Sequence, residues 1–280
     1  MCTAVLSIEP GLPVLLAGIR DELIDRAWEP PARHWPDYPE LTGGRDLLAG
    51  GTWLAVAPRH PRASCVLNAR GRPAPASSRR TRGDLPLRAA AGQPFDASRV
   101  GQLDPFHLVT TEPGRSLMQS WDGEQFTETE LAPGLHMVVN SGLAGKLAPA
   151  PRPEQAPQAA PDGGEHELAR IAHFLPQFLA ADRPMPRPGQ PLADAWGHWL
   201  TLVNGGGLDP QDPRALVVRR TLPDGRTWGT TSVSLVALWP YAPGVPPARH
   251  DPGAPPARPV SRYDFCGTPG DPTAWRSVPL

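Results

Sequence analysis

The N-terminal half of the chain is a succession of short apolar runs separated by Pro/Gly turns, the rhythm of strands and hairpins. Thr3 to Ile8 is apolar and β-branched, Glu9-Pro10-Gly11-Leu12-Pro13 supplies turn residues, and Val14-Leu15-Leu16-Ala17-Gly18 returns. This predicts a β-hairpin with a buried second strand that ends in the charges Arg20-Asp21-Glu22. Gly50 to Val56 and Ser64 to Asn68 predict another pair of strands across the turn-forming Pro58 to Pro61. Residues 71–83, rich in Arg, Pro and Ser, read as an exposed loop, and Asp84 to Ala91 as a short helix. Phe106 to Thr111, Ser116 to Trp121 and Leu135 to Asn140 are further strands, with a hairpin signal at Asp122-Gly123.

A helical period enters later. Leu168, Ile171, Ala172, Leu175, Phe178 and Leu179 repeat at three and four residues, although Pro176 is expected to kink or split that helix. Leu192, Ala195, Trp196, Trp199, Leu200 and Val203 form one apolar face, expected to pack on a sheet and stopped by Asn204-Gly205. Leu216 to Leu222 and Thr227 to Trp239 flank Asp224-Gly225 as a second hairpin. The Pro-rich stretches 149–163 and 243–259 read as loops, and no internal repeat is present. Strands, then helices, then strands predict an α+β fold over a single domain, residues 1–280.

Composition narrows the function. A chain of 280 residues that is 40% hydrophobic, with 9 Trp, buries a substantial core. The 27 basic and 28 acidic residues leave no field to draw nucleic acid or an anionic membrane, so neither is an expected partner. No apolar run approaches the roughly 18 residues that a membrane-spanning helix requires. Cys2, Cys65 and Cys266 are an odd set without a CxxC pair, and no leader pattern precedes the first strand; a reducing, cytoplasmic location is the expectation. The oligomeric state is not legible.

The familiar nucleotide and metal signatures are missing. No GxxxxGK[ST] or GxGxxG loop and no HExxH occurs, and His166 and His173, seven residues apart, lack a third ligand, so no metal site or required cofactor is assigned. The basic run Arg79-Arg80-Thr81-Arg82 reads as a solvated loop.

Cys2 is the residue with chemistry to offer. Methionine is commonly trimmed before a residue as small as cysteine, which places a thiol and a free α-amine on one residue, with reference pKa values of about 8.5 and about 8. The amine can then act as the thiol's own base; the competing reading is a small hydrophobe packed in a core. The first hairpin brings Cys2, Arg20 and Asp21 to one sheet edge, where Arg20 would lower the thiol pKa and Asp21 would hold the α-ammonium. Asn68 and Asn140, each ending a predicted strand, are candidate donors to an oxyanion, or turn residues.

These residues also carry a family likeness. The chain resembles the NRDE-motif family, also called the transport and Golgi organisation family, and more distantly the cysteine N-terminal-nucleophile hydrolases that cleave bile-salt and penicillin amides. The matching blocks are Met1-Cys2; Ala17-Gly18-Ile19-Arg20-Asp21-Glu22; Gly50-Gly51-Thr52-Trp53-Leu54; Leu67-Asn68-Ala69-Arg70 with Arg82-Gly83-Asp84; Pro133-Gly134-Leu135-His136 through Asn140-Ser141; Trp228-Gly229-Thr230; and Arg262-Tyr263-Asp264-Phe265. Two positions depart: Ile19 stands where an Asn is expected and Thr231 where an Arg is usual. The resemblance implies an αββα sandwich of two antiparallel sheets covered by helices. It implies Cys2 as nucleophile with its α-amine as base, Arg20 and Asp21 in support, and Asn68 and Asn140 at the substrate carbonyl. The reaction would be hydrolysis of a small-molecule amide or thioester through an acyl-cysteine. The alternative it implies is a non-catalytic protein that binds or moves haem or a lipid-like molecule, with Trp53 lining the cleft and Cys2 or His136 as iron ligand.

Overall fold

The computed structural model describes residues 2–145, 164–240 and 261–280; the Pro-rich stretches 149–163 and 243–259 lie outside the described residues. The first half runs β1 (Cys2–Ile8), β2 (Val14–Leu23), β3 (Trp28–Ala32), β4 (Thr42–Asp46), β5 (Leu54–Ala57), β6 (Arg62–Asn68) and helix α1 (Leu85–Ala90). After a 3-10 helix, Ala97–Gln102, come β7 (Phe106–Glu112), β8 (Arg115–Trp121), β9 (Phe126–Glu130), β10 (Gly134–Val139) and β11 (Gly142–Leu143). The remainder is α2 (Gly164–Ala180), α3 (Leu192–Trp196), α4 (His198–Val203), β12 (Arg219–Thr221), β13 (Thr227–Leu238), β14 (Arg262–Cys266) and β15 (Trp275–Ser277).

The strands form two antiparallel sheets. Sheet A has the order β11-β10-β1-β2-β13-β14-β15, with β12 paired to β13, and sheet B the order β3-β4-β5-β6-β7-β8-β9. Each strand's alternation sorts its side chains between two layers. In β1, Ala4, Leu6 and Ile8 enter the core between the sheets, where Leu16, Leu54, Cys65, Val109 and Phe265 meet them. Val5, with Leu15, Ala17 and Ile19 of β2, faces a second core shared with Phe174, Phe178, Trp196, Trp199 and Leu202 of the helices. On the far face of sheet B, Leu87 and Ala90 of α1 pack with Leu41, Ala55 and Ala57, and Leu85 of α1 with Leu103, Phe106 and Leu108. Helices, sheet, sheet, helix is an αββα sandwich.

Three elements differ from expectation. The predicted face of α2 is rotated: Leu168 and Leu179 are exposed, and the buried stripe is Glu167, Arg170, Phe174 and Phe178. Those two charges are buried because each has partners, described below. The helix also runs through Pro176 without dividing. The segment Leu192–Val203 does pack on sheet A, but as two short helices separated by Gly197, whose φ of 49° breaks the helical path. Strand β3, with Pro30 and Pro31, escapes a pattern search; it is tolerated because it lies at the edge of sheet B, where a missing N–H costs no ladder bond.

Candidate functional site

The register of sheet A assembles the site. Cys2 pairs with Arg20 of β2, and Arg20 pairs in turn with Ser232 of β13. On its other side β1 pairs with β10, Ala4 opposite Val138, and Asn140 follows directly on Val139, the last residue of β10. Cys2, Arg20 and Ser232 therefore form one row across β1, β2 and β13, with Asn140 just past the end of the neighbouring β10. A cleft of about 240 Å³, part of it open to solvent, lies between the sheets here, lined by Thr3, Gly18, Arg20, Trp53, Leu54 and Cys65 among others.

Arg20 is 5% exposed and held from several directions. Its Nη1 donates to Thr231 Oγ1 at 2.7 Å, and the Thr231 hydroxyl donates back to the Arg20 carbonyl at 3.2 Å. Its Nη2 lies 3.5 Å from Asp46 Oδ2 and 3.8 Å from Glu22 Oε2, and the guanidinium sits 4.5 Å from the Trp53 ring centroid. Trp53 packs edge-on against Trp28 at 5.9 Å. Arg26 holds Asp46 through two bonds, 2.6 and 3.1 Å, and with the turn amide of Ala49 this keeps the Asp46 carboxyl below the usual range against its burial. Thr231, at the register shift of the β13–β2 ladder, thus receives Arg20 where the related pattern carries a second arginine. Ile19, the other departure, is 1% exposed and belongs to the helix-side core.

Asp21 takes the opposite face from Arg20, as adjacent strand residues must. It is buried against α2: Thr230 Oγ1 donates to Asp21 Oδ1 at 2.7 Å, and Arg170 Nη1 lies 3.6 Å from Oδ2, both side chains being fully shielded. Arg170 also donates to the Ala215 carbonyl at 2.8 Å and to Thr3 Oγ1 at 3.3 Å. One turn earlier, Glu167 accepts from Ser141 N and Oγ (3.0 and 2.6 Å) and from Arg70 Nη2 at 3.0 Å. Helix α2 thus supplies a buried layer of paired charge under the strand ends that carry the row.

Asn140 is 8% exposed, and its carbonyl accepts from Arg70 N and His107 Nε2, both at 3.2 Å. Because Nε2 meets a carbonyl it carries the proton, so Nδ1 accepts from Ser120 Oγ at 2.8 Å. Burial keeps this imidazole neutral, its pKa pushed down to about 4. Asn68 ends β6 opposite Phe106 and is half-buried. In β6, Cys65 and Leu67 face sheet A while Val66 faces outward, so alternation assigns Asn68 to the outward set.

Arg262-Tyr263-Asp264-Phe265 proves to be scaffolding. Arg262 pairs with the buried Asp264 at 2.5 Å, and Asp264 accepts from Trp196 Nε1 at 2.7 Å, pinning α3 to sheet A. His136 is exposed to one side, its Nε2 donating to the Ala132 carbonyl at 2.7 Å. Among the described residues no group of three His, Cys, Asp or Glu side chains is placed to hold a metal, and no helix is long and apolar enough to cross a membrane.

Arg170, Glu167, Arg70, Asp46 and His107 escape sequence reasoning. Only Glu167 and Arg170 left a signal: they continue the spacing of Phe174 and Phe178, so charge falls on the buried stripe of an amphipathic helix. The other three meet their partners across sheets.

Among solved structures, that of the C2A mutant of a conjugated bile acid hydrolase from Clostridium perfringens is similar over 100% of this chain and 92% of that one, at 10% identity and a TM-score of 0.45. No curated protein matches the chain. The family model described as Transport and Golgi organisation 2 matches residues 1–170, a span that holds Cys2, Arg20, Asp21, Asn68, Asn140 and Arg170. The chain belongs to the Transport and Golgi organisation 2 family.

Proposed function

We propose that this protein is an N-terminal-cysteine hydrolase that cleaves a small-molecule amide or thioester through an acyl-cysteine. The single observation that supports the reading is the pairing of Cys2 with Arg20, which lines the inter-sheet cleft, while Asn140 follows the end of β10, the other neighbour of β1.

After removal of Met1, the α-amine of Cys2 takes the thiol proton and the sulfur attacks the substrate carbonyl. The oxyanion accepts from the Asn140 side chain, preferred to Asn68 because Asn140 follows β10, a neighbour of β1, whereas Asn68 ends a strand of the other sheet. Collapse of the tetrahedral species expels the amine or thiol, which takes the proton held on the α-ammonium. Water, deprotonated by the same α-amine, then attacks the acyl-cysteine and releases the carboxylic acid. Arg20 favours the thiolate, although Asp46 and Glu22 offset part of its charge, and Asp21, anchored by Arg170 and Thr230, holds the α-ammonium.

The haem alternative fits this cleft poorly. Among the described residues neither His136 nor any other histidine lines it, and His136 turns its Nε2 to the Ala132 carbonyl. The test of the hydrolase reading is the intact mass of untagged protein before and after a reagent selective for 1,2-aminothiols. The expected result is loss of Met1 and stoichiometric labelling, with turnover of amides or thioesters abolished in Cys2→Ala while the fold persists. Full retention of Met1 would overturn it, since the base would then be an amide nitrogen.

A further inference from the structure

A second cavity is remote from this site. It spans about 600 Å³, part of it open to solvent, on the outer face of sheet B beneath α1 and residues 93–103. Leu108 contributes to its floor, while its strand neighbour Val109 faces the inter-sheet core, so sheet B itself separates the two sites. Its apolar lining is Leu85, Leu103 and Leu108, all buried, and Phe95, stacked on Phe126 at 4.7 Å, with the buried Gln119 beside them.

The rim is polar. Arg80, Arg88 and Arg99 face Asp84 and Asp96 across it, leaving one net positive charge. Arg99 is paired with Asp96 at 3.5 Å, and Asp96 also accepts from Ser98. Among the described residues the guanidiniums of Arg80 and Arg88 make no hydrogen bond or ion pair. Of the basic run, Arg79 binds the Ala74 carbonyl and Asp104, and Arg82 the Pro105 carbonyl, so both have structural work. Arg80 is the member turned to the cavity.

We propose that this cavity binds a small amphiphilic monocarboxylate, its apolar body against Leu85, Phe95, Leu103 and Leu108 and its carboxylate at Arg80 and Arg88. A neutral molecule would leave the net positive charge of the rim unmatched, and a multiply charged one would meet Asp84 and Asp96 on the same rim. A monoanion matches the net charge, and a planar carboxylate matches the guanidinium fork. This site does not depend on any turnover at Cys2.

The test is titration of the 15N-labelled full chain with octanoate, octanamide and hexyl phosphate, followed by amide chemical shifts. Octanoate is expected to saturate with shifts concentrated in α1 and residues 93–103, and octanamide to bind at least about tenfold more weakly, the worth of one charge-assisted contact. Arg80→Gln and Arg88→Gln, which keep most of the side-chain length, should each weaken octanoate towards the amide and leave shifts outside the cavity unchanged. Equal binding of octanoate and octanamide, indifference to both substitutions, or no saturable shift at α1 at millimolar octanoate overturns the proposal. Tighter binding of hexyl phosphate overturns the monocarboxylate assignment.

Discussion

Removing Arg170 isolates one buried charge and measures what α2 contributes to the site. Its guanidinium lies 3.6 Å from Asp21 with both side chains fully shielded. Coulomb's law at that separation, with an effective dielectric constant near 20, gives an attraction of about 5 kcal/mol. Relief from desolvating the arginine offsets part of this in Arg170→Met, but Asp21 then stays buried opposite a thioether, and breaking such a pair from one side costs about 3–5 kcal/mol. The hydrogen bonds to Ala215 and Thr3 are lost as well. Urea unfolding followed by circular dichroism should show a midpoint lowered by about 1 M or more. Adding Asp21→Asn should restore at least half of the loss, because the amide oxygen still accepts from Thr230 without the buried charge that Arg170 balanced. The reasoning is refuted if Arg170→Met costs less than about 1 kcal/mol, or if the two substitutions simply add.

The remaining predictions concern other parts of the fold. His107 is held neutral with a pKa of about 4, below its usual 6.5, so the unfolded chain binds its proton first as pH falls. Its contribution is fully present above pH 6.5 and is lost towards pH 4, about 3 kcal/mol in all; urea midpoints at pH 7 and 4.5 should differ less in His107→Gln than in the parent. Cys65 and Cys266 are buried, and burial raises the Cys266 thiol pKa, so iodoacetamide should spare both in the native protein and alkylate both in urea, as read by peptide mass. Gly71 has φ 147°, and a Cβ there would fall 1.8 Å from the Asp122 carbonyl oxygen. Gly71→Ala should therefore cost more than about 2 kcal/mol by thermal unfolding, and a neutral result would contradict that packing.

The one-dimensional pattern determines a great deal of this molecule. Short apolar runs bounded by Pro/Gly turns specify β1, β2, β5 to β8, β10 and β13, because strands buried on both faces of a layered fold read as near-continuous apolar segments. The pairing of Cys2 with Arg20 follows from the first hairpin for the same reason: a short turn leaves the register little freedom. Edge strands such as β3 leave no such trace, since their outer groups face solvent and tolerate proline.

Tertiary structure decides the environment of each candidate. That Asp21 points away from Arg20, to a buried Arg170 149 residues along the chain, is a matter of which helix covers which face. That Asn140 follows a strand beside β1 while Asn68 falls on the outward set of the other sheet depends on where β10 and β6 pair. Sequence reasoning read α2 one residue out of phase because apolar periodicity takes charge to mean solvent. Glu167 and Arg170 are buried nonetheless, since Arg70, Ser141 and Asp21 reach them from strand ends and loops remote in sequence. Local pattern sets what each strand must bury; only packing determines which charges find partners there.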